Sequence, residues 1–279
     1  MKILVTGSTG FIGRHVVSKL SDSGHEVTAV TRDIKKLTGF KGAIIKVEMD
    51  ISNPLDDVYS RLGKPDAAIH LAWGGLPNYD SLHHFEQEVP RHYSFLKKLV
   101  KAGLPSLLVA GTCFEYGMQS GSLSEDLPAL PVTPYGFAKD ILRRQLEYLQ
   151  RRKAFDLTWC RLFYMYGEGQ PAGSLYSQLK AAVKRDDEVF NMSEGEQLRD
   201  YLSVEEVAHY IVRLAACKMP VGLVNVCAGK PISVRKLVER WLAEHGWTIK
   251  LKLGSYPYPE YEPMAFWGDP TRLHNLVGA

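Results

Sequence analysis

The stretch KILVTGSTGFIG, Lys2 to Gly13, decides how this chain folds. Lys2–Thr6 is a short apolar run of β-prone residues. It leads directly into glycines at 7, 10 and 13, and from there into a helical pattern over Phe11–Asp22 with Val16, Val17 and Leu20 on one side. Glycines here permit a tight turn, close backbone approach to a pyrophosphate, and close packing of helix on strand. The helix start adds free N–H groups and the positive end of a dipole. Three glycines alone say little. Between a strand and a helix they read as a dinucleotide cradle, with Gly7, Thr9, Gly10, Phe11, Ile12 and Gly13 against the cofactor.

The same alternation continues outward. Strand-like runs occur at Glu26–Thr31, Ala43–Glu48, Ala67–Leu71, Ser106–Ala110 and Leu157–Leu162, with helical patterns at Phe85–Ala102 and Tyr135–Arg152. Strands separated by helices predict an α/β fold: a Rossmann-type, doubly wound parallel sheet. Beyond Gly167 proline and glycine become frequent. The division expected is 1–166 as a cofactor-binding domain with the catalytic residues, and 167–279 as a smaller mixed α/β substrate subdomain. Some of its segments return to the sheet. The aromatic stretch Tyr256–Trp267 reads as packing rather than a binding loop.

Composition narrows the class. The chain has 279 residues, 45% hydrophobic and 23% charged, with a net charge of +3. This excludes a disordered or fibrous chain and gives no reason to expect nucleic acid as a partner. No apolar run reaches the ~18 residues of a membrane span, and Met1–Gly13 does not read as a secretory leader. The four cysteines form no CxxC pair and the nine histidines no HExxH spacing, so no metal is expected. The doublet His83-His84 reads as surface or loop. A cytoplasmic enzyme is the expectation.

Two further segments carry chemistry. The second strand ends Val30-Thr31-Arg32-Asp33. Thr31 falls where an acid would bind the adenosine ribose and select NAD, and Arg32 can pair with a 2′-phosphate. NADP(H) is therefore expected ahead of NAD(H), although a shift of one residue to Asp33 would restore the acid. Asp50-Ile51 suits an adenine-edge contact. Tyr135 and Lys139 form a YxxxK pair on one face of a helix. A lysine one turn away can tune a phenol whose ordinary pKa of ~10 is too high for proton transfer near neutrality. Thr112, just after the fifth strand, can hydrogen-bond a substrate oxygen beside that phenol.

In these motifs the chain resembles the extended short-chain dehydrogenases/reductases, in their nucleotide-sugar epimerase/dehydratase/reductase branch. The likeness runs from residue 1 to about 275. Gly7–Gly13 has the GxxGxxG spacing of that group. Thr112 falls on the catalytic Ser/Thr of its SSxxVYG motif, and His70-Leu71-Ala72-Trp73 on its HLAA, implying cofactor contacts from Leu71, Ala72 and Trp73. Arg199–Glu205 (RDYLSVE) matches RDfvyVdD, which implies that Arg199 binds the substrate diphosphate; a buried ion pair with Asp200 or Glu205 is the other role for it. Asn225–Gly229 matches NvgsG.

Departures from the pattern narrow the implied reaction. Cys113 and Phe114 stand where sugar dehydratases carry Asp-Glu, so elimination lacks its acid and base. Phe114 also replaces the cysteine of the epimerase/reductases resembling GDP-fucose synthase. Tyr164 replaces the asparagine of RxxNxYG, and Glu88 stands where an asparagine is usual. Cys113, Phe114, Tyr164 and Arg199, with Thr112, are the implied substrate contacts. By overall likeness the chain is most similar to dTDP-4-dehydro-6-deoxyglucose reductases and CDP-abequose synthases. The resemblance thus implies NAD(P)H-dependent reduction of a nucleotide-linked 4-keto-6-deoxyhexose, dTDP-linked by preference, in deoxysugar or surface-polysaccharide synthesis. A nucleotide-sugar epimerase with tightly held NAD stands second, and a non-catalytic NAD(P)-binding regulator third. A homodimer is expected.

Overall fold

The computed structural model describes residues 1–40, 42, 44–217 and 219–278. The first half runs β1 (Lys2–Thr6), α1 (Phe11–Asp22), β2 (Glu26–Thr31), β3 (Ile44–Glu48), α2 (Val58–Arg61), β4 (Ala67–His70), α3 (Val89–Lys101), β5 (Ser106–Thr112), β6 (Gly121–Leu123), α4 (Pro134–Gln150) and β7 (Asp156–Leu162). The second half adds β8 (Tyr164–Tyr166), α5 (Leu175–Lys184), β9 (Val189–Asn191), β10 (Leu198–Ser203), α6 (Val204–Ala215) and β11 (Gly222–Val226). It ends with β12 (Pro231–Ser233), α7 (Val234–His245), β13 (Lys250–Lys252), β14 (Phe266–Gly268) and α8 (Thr271–Val277). The expected third strand began at Ala43, which lies outside the described residues.

Seven parallel strands form one sheet in the order β3-β2-β1-β4-β5-β7-β11. The order reverses between β1 and β4, and a doubly wound sheet takes its ligand at the carboxyl ends of such strands. The strand sequences explain the two covered faces. Ile3 and Val5 of β1 point into a core with α1, α6 and α8, while Leu4 points into a core with α2, α3 and α4. The period of two repeats in β5, where Leu108 and Ala110 face one side and Leu107 and Val109 the other. Strands buried on both faces read as continuous apolar runs.

The last edge strand, β11, and its neighbour α6 come from beyond residue 167, so the later part of the chain completes the sheet. A separate core forms around Trp241, Leu237, Val238 and Leu179 from α5 and α7. A fourth cluster, with Cys113, Tyr116, Phe163, Cys227 and Phe266, lies beneath the carboxyl end of β5.

The expected helix over Phe85–Ala102 is two elements. A wider, π-type turn over His84–Glu88 precedes α3. The wider turn carries His84 and Glu88 inward, so His84 is buried, not the surface residue expected from the doublet. Among the described residues no group of His, Cys, Asp and Glu could hold a metal ion, and no helix is long and apolar enough to cross a membrane.

The β1–α1 turn leaves no room for side chains. A Cβ at Gly13 would overlap the carbonyl of Gly7, and one at Gly7 would sit 2.7 Å from the amide nitrogen of Ala72. Gly13→Ala is expected to destabilise the fold by about 1–3 kcal/mol, as forced overpacking does. Urea denaturation of the two proteins checks it.

Candidate active site

Thr112, Tyr135 and Lys139 come together at the carboxyl end of β5. Tyr135 opens α4, whose first turn is fixed by Pro134 and by Thr133, the N-cap, accepting from the Gly136 amide at 3.1 Å. The phenol is buried on the side of the Thr112 side chain, which lowers its pKa. One turn later the Lys139 ammonium donates to the Ala110 carbonyl at 2.8 Å. It also lies 3.9 Å from the centre of the Trp73 ring, a cation–π contact. Thr112 serves the backbone as well, because its hydroxyl accepts from the Phe114 amide as the cap of the next short turn.

Burial sets the proton states. It pushes the Tyr135 phenol well above its ordinary value, helped by Tyr79 and opposed by the Thr112 side chain. It brings Lys139 down to about 7, against the pull of the carboxylates Glu115 and Glu88. The phenol is thus held protonated, the form that gives up a proton.

The cofactor-type residues line one elongated cavity at the reversal point. Gly7, Thr9, Gly10, Arg32, Asp50, Ile51, Leu71, Ala72 and Trp73 all border it. Phe11, Ile12 and Gly13 stand behind, on the first turn of α1, with Ile12 packed on the core. The helix start has no side-chain cap, so its N–H groups remain open to a phosphate. These features fit a dinucleotide. At the far end Asp33 also borders the cavity, with one carboxylate oxygen capping a short turn through the Lys35 amide at 3.0 Å. Arg32 and Lys36 border the cavity there, and among the described residues the Arg32 guanidinium has no hydrogen-bond partner. Asp50 accepts from the Ser52 amide at 2.9 Å, a bond that lowers its pKa and keeps it charged.

A buried polar chain escaped the sequence reading. The Thr6 hydroxyl meets His70 Nδ1 at 2.8 Å, His70 Nε2 meets His92 Nδ1 at 2.7 Å, and His92 Nε2 meets Glu88 at 3.0 Å. All three bonds are satisfied by neutral imidazoles with donors pointing toward Glu88, and burial lowers the pKa of both histidines. Burial opposes the charge of Glu88, yet bonds from His92 and the Gly74 amide hold it down at about 2. Trp73 stacks on His92 with ring centroids 4.7 Å apart and donates to His84. The available signal was Glu88 in place of asparagine, with His92 four residues on.

The substrate side differs from expectation in three respects. Arg199 does form a buried ion pair, but with Glu262, at 2.8 Å. Asp200, one of the partners expected, instead accepts the amides of Ala228, Gly229 and Gly268. The Arg199 fork is fully occupied, since its other terminal nitrogen donates to the carbonyls of Leu198 and Met264. The Tyr164 hydroxyl donates to the other oxygen of Glu262. Tyr256–Trp267 is therefore more than packing: it delivers Glu262 to Arg199 and lays Tyr261 beside Phe114 and Tyr79. Tyr79, Phe114 and Tyr135 form an aromatic wall with centroids 4.8–6.0 Å apart. Cys113 is buried in the apolar cluster, where burial raises its thiol well above the usual range. No local sequence signal marks Tyr79, Tyr261 or Glu262.

Known proteins are similar to this one over nearly the whole chain. The dTDP-6-deoxy-L-talose 4-dehydrogenase (NAD(+)) of Aggregatibacter actinomycetemcomitans is 31% identical over 270 residues, covering 96% of this chain and 99% of that one. The GDP-6-deoxy-D-talose 4-dehydrogenase of the same organism is 28% identical, covering 100% and 92%. The solved structure of MoeE5 in complex with UDP-glucuronic acid and NAD superposes with a TM-score of 0.84 at 26% identity, covering 100% and 93%. The profile that matches residues 3–227, from the first strand through the sheet's last edge, places the chain in the NAD dependent epimerase/dehydratase family.

Proposed function

We propose that this enzyme reduces the C4 ketone of a nucleotide-linked 4-keto-6-deoxyhexose, dTDP-linked by preference, using NADP(H). The observation that carries the reading is the meeting of Thr112, the buried Tyr135 phenol and, one turn on, Lys139, against the Trp73 ring that borders the dinucleotide cavity. When bound, the reduced nicotinamide supplies the hydride. Thr112 orients the ketone oxygen, Tyr135 gives it a proton, and Lys139 holds the ribose hydroxyls and replenishes charge near the phenol. Cys113 and Phe114 offer no acid–base pair for elimination. The 6-deoxytalose 4-dehydrogenases similar to this chain act, by their names, at the same carbon of the same sugar class.

The Arg32 guanidinium, without a hydrogen-bond partner among the described residues, and the nearby Lys36 support NADP(H) over NAD(H). For the substrate, the diphosphate takes Arg199 from Glu262. On this reading the enzyme is cytoplasmic and a homodimer joined through α3 and α4, where Tyr148 is exposed. A second reading, an epimerase with retained NAD, uses the same three residues and is supported by the UDP-glucose 4-epimerase of Neisseria meningitidis, 25% identical to this chain.

Three outcomes follow. NADPH oxidation is expected with one member of a panel of dTDP-, CDP- and GDP-linked 4-keto-6-deoxysugars, and Tyr135→Phe should lower kcat by about 10²–10⁴-fold. No oxidation, with NAD retained through purification, would move the assignment to the epimerase. Arg32→Ala should weaken NADPH binding by about 10–100-fold, the worth of a charge-assisted contact, and leave NADH binding unchanged by fluorescence titration. Glu262→Gln should tighten binding of the matching nucleoside diphosphate in calorimetry, because Arg199 no longer has to be released from a carboxylate.

A further inference from the structure

The strand end Gly111-Thr112-Cys113-Phe114-Glu115-Tyr116-Gly117 departs from SSxxVYG at two more positions. Gly111 stands for a serine and Glu115 for the valine. The structure ties the two changes together. Glu115 is fully buried. One carboxylate oxygen accepts from the Thr112 amide at 3.0 Å and from the Trp159 indole at 2.9 Å. The other accepts from Arg161 at 2.8 Å, with Arg143 at 3.9 Å. A Cβ at position 111 would overlap the Trp159 indole and come 2.6 Å from the Glu115 oxygen. Glycine at 111 is what lets the Trp159–Glu115 pair lie against the strand.

A buried carboxylate is costly unless every lone pair is answered, and an apolar residue fills such a space with less desolvation. What Glu115 adds over valine is a grip on Thr112. Lys139 holds the same strand end from the Ala110 carbonyl. The three residues Ala110–Thr112 are thus clamped between a lysine and a glutamate. We propose that Glu115 is a positioning residue of this active site: through the Thr112 amide it fixes the strand end whose hydroxyl stands beside Tyr135 and meets the substrate oxygen. The inference rests on the reading of Thr112, Tyr135 and Lys139 as the reacting groups.

The charge of Glu115 has a second effect. It favours the protonated form of Lys139, as does Glu88. The other titratable groups facing Lys139 are His70 on β4, His84 on the turn before α3, His92 on α3, and Tyr135 on its own helix. Without Glu115 the lysine loses its proton at lower pH, and a step that needs the ammonium fails sooner as pH rises.

Two variants separate the grip from the charge. Glu115→Asp keeps the charge and draws the carboxylate back by one methylene. Glu115→Gln combined with Arg161→Gln removes both charges and leaves two carboxamides able to bond each other. In folded Glu115→Asp, checked by circular dichroism and cofactor affinity, kcat is expected to fall about 10–100-fold with KM little moved, the effect of a misplaced catalytic group. Its alkaline limb stays in place. In the double variant kcat falls similarly and the alkaline limb moves to lower pH. A folded Glu115→Asp with wild-type kcat, whatever its thermal midpoint, would overturn the proposal. If the wild-type protein turns over no sugar in the panel, the proposed function has failed and the positioning claim is read from cofactor binding instead. There, quenching of tryptophan fluorescence by NADPH should weaken at lower pH in the double variant than in wild type, and an unmoved profile would overturn it.

Discussion

The turn between β1 and α1 presses against the end of β4 so closely that neither Gly7 nor Gly13 can carry a side chain. The rest of the molecule is arranged around that approach. It brings the open helix start and the Leu71–Trp73 backbone to the two sides of one crevice at the point where strand order reverses. With the crevice set there, the next strand outward, β5, must deliver its end to the crevice mouth. Thr112 is that end, and α4, packed beside β5, brings Tyr135 and Lys139 to meet it. The meeting of these three side chains is a consequence of sheet order, not of any contact they make alone.

What the sequence revealed follows from which interactions are local. β1, α1 and β2 were readable to the residue, because the apolar period and the glycine turn are encoded within a dozen positions. The YxxxK pair was readable because four residues make one helical turn. The wider turn at His84–Glu88 was not, since its cause is tertiary: Glu88 reaches the Gly74 amide and His84 reaches the Asn78 carbonyl. The partner of Arg199 was equally hidden. Glu262 lies 63 residues further along the chain in a stretch without period, and only the folded chain brings them together.

The charges placed inside the fold have a common pattern. Glu115 and Glu88 stand where the family pattern has valine and asparagine, and each binds a backbone amide at the end of a sheet strand: Thr112 after β5, Gly74 after β4. Both also pull Lys139 toward its charged form, against a burial that lowers it to about 7. Burial alone would leave that lysine neutral for much of the time near neutrality. Two carboxylates in fixed positions offset part of the desolvation without contacting the ammonium directly, so it remains free to donate to the Ala110 carbonyl.

The wall beside Tyr135 bears on which sugar fits. Tyr79, Phe114 and Tyr261 pack on one another beside the phenol, and Tyr261 arrives on the same segment as Glu262. A hydroxymethyl group against such rings would lose its water without gaining a partner, at a cost of about 1–3 kcal/mol. A methyl group loses nothing there and buries apolar surface. Discrimination of this kind needs no residue that recognises the methyl, only the lack of one that answers a hydroxyl. The loss of the usual asparagine to Tyr164, whose hydroxyl is already given to Glu262, removes one more answering group from the same site. On the proposed function, the apolar rings of this wall would favour a 6-deoxy sugar over one that carries a 6-hydroxyl.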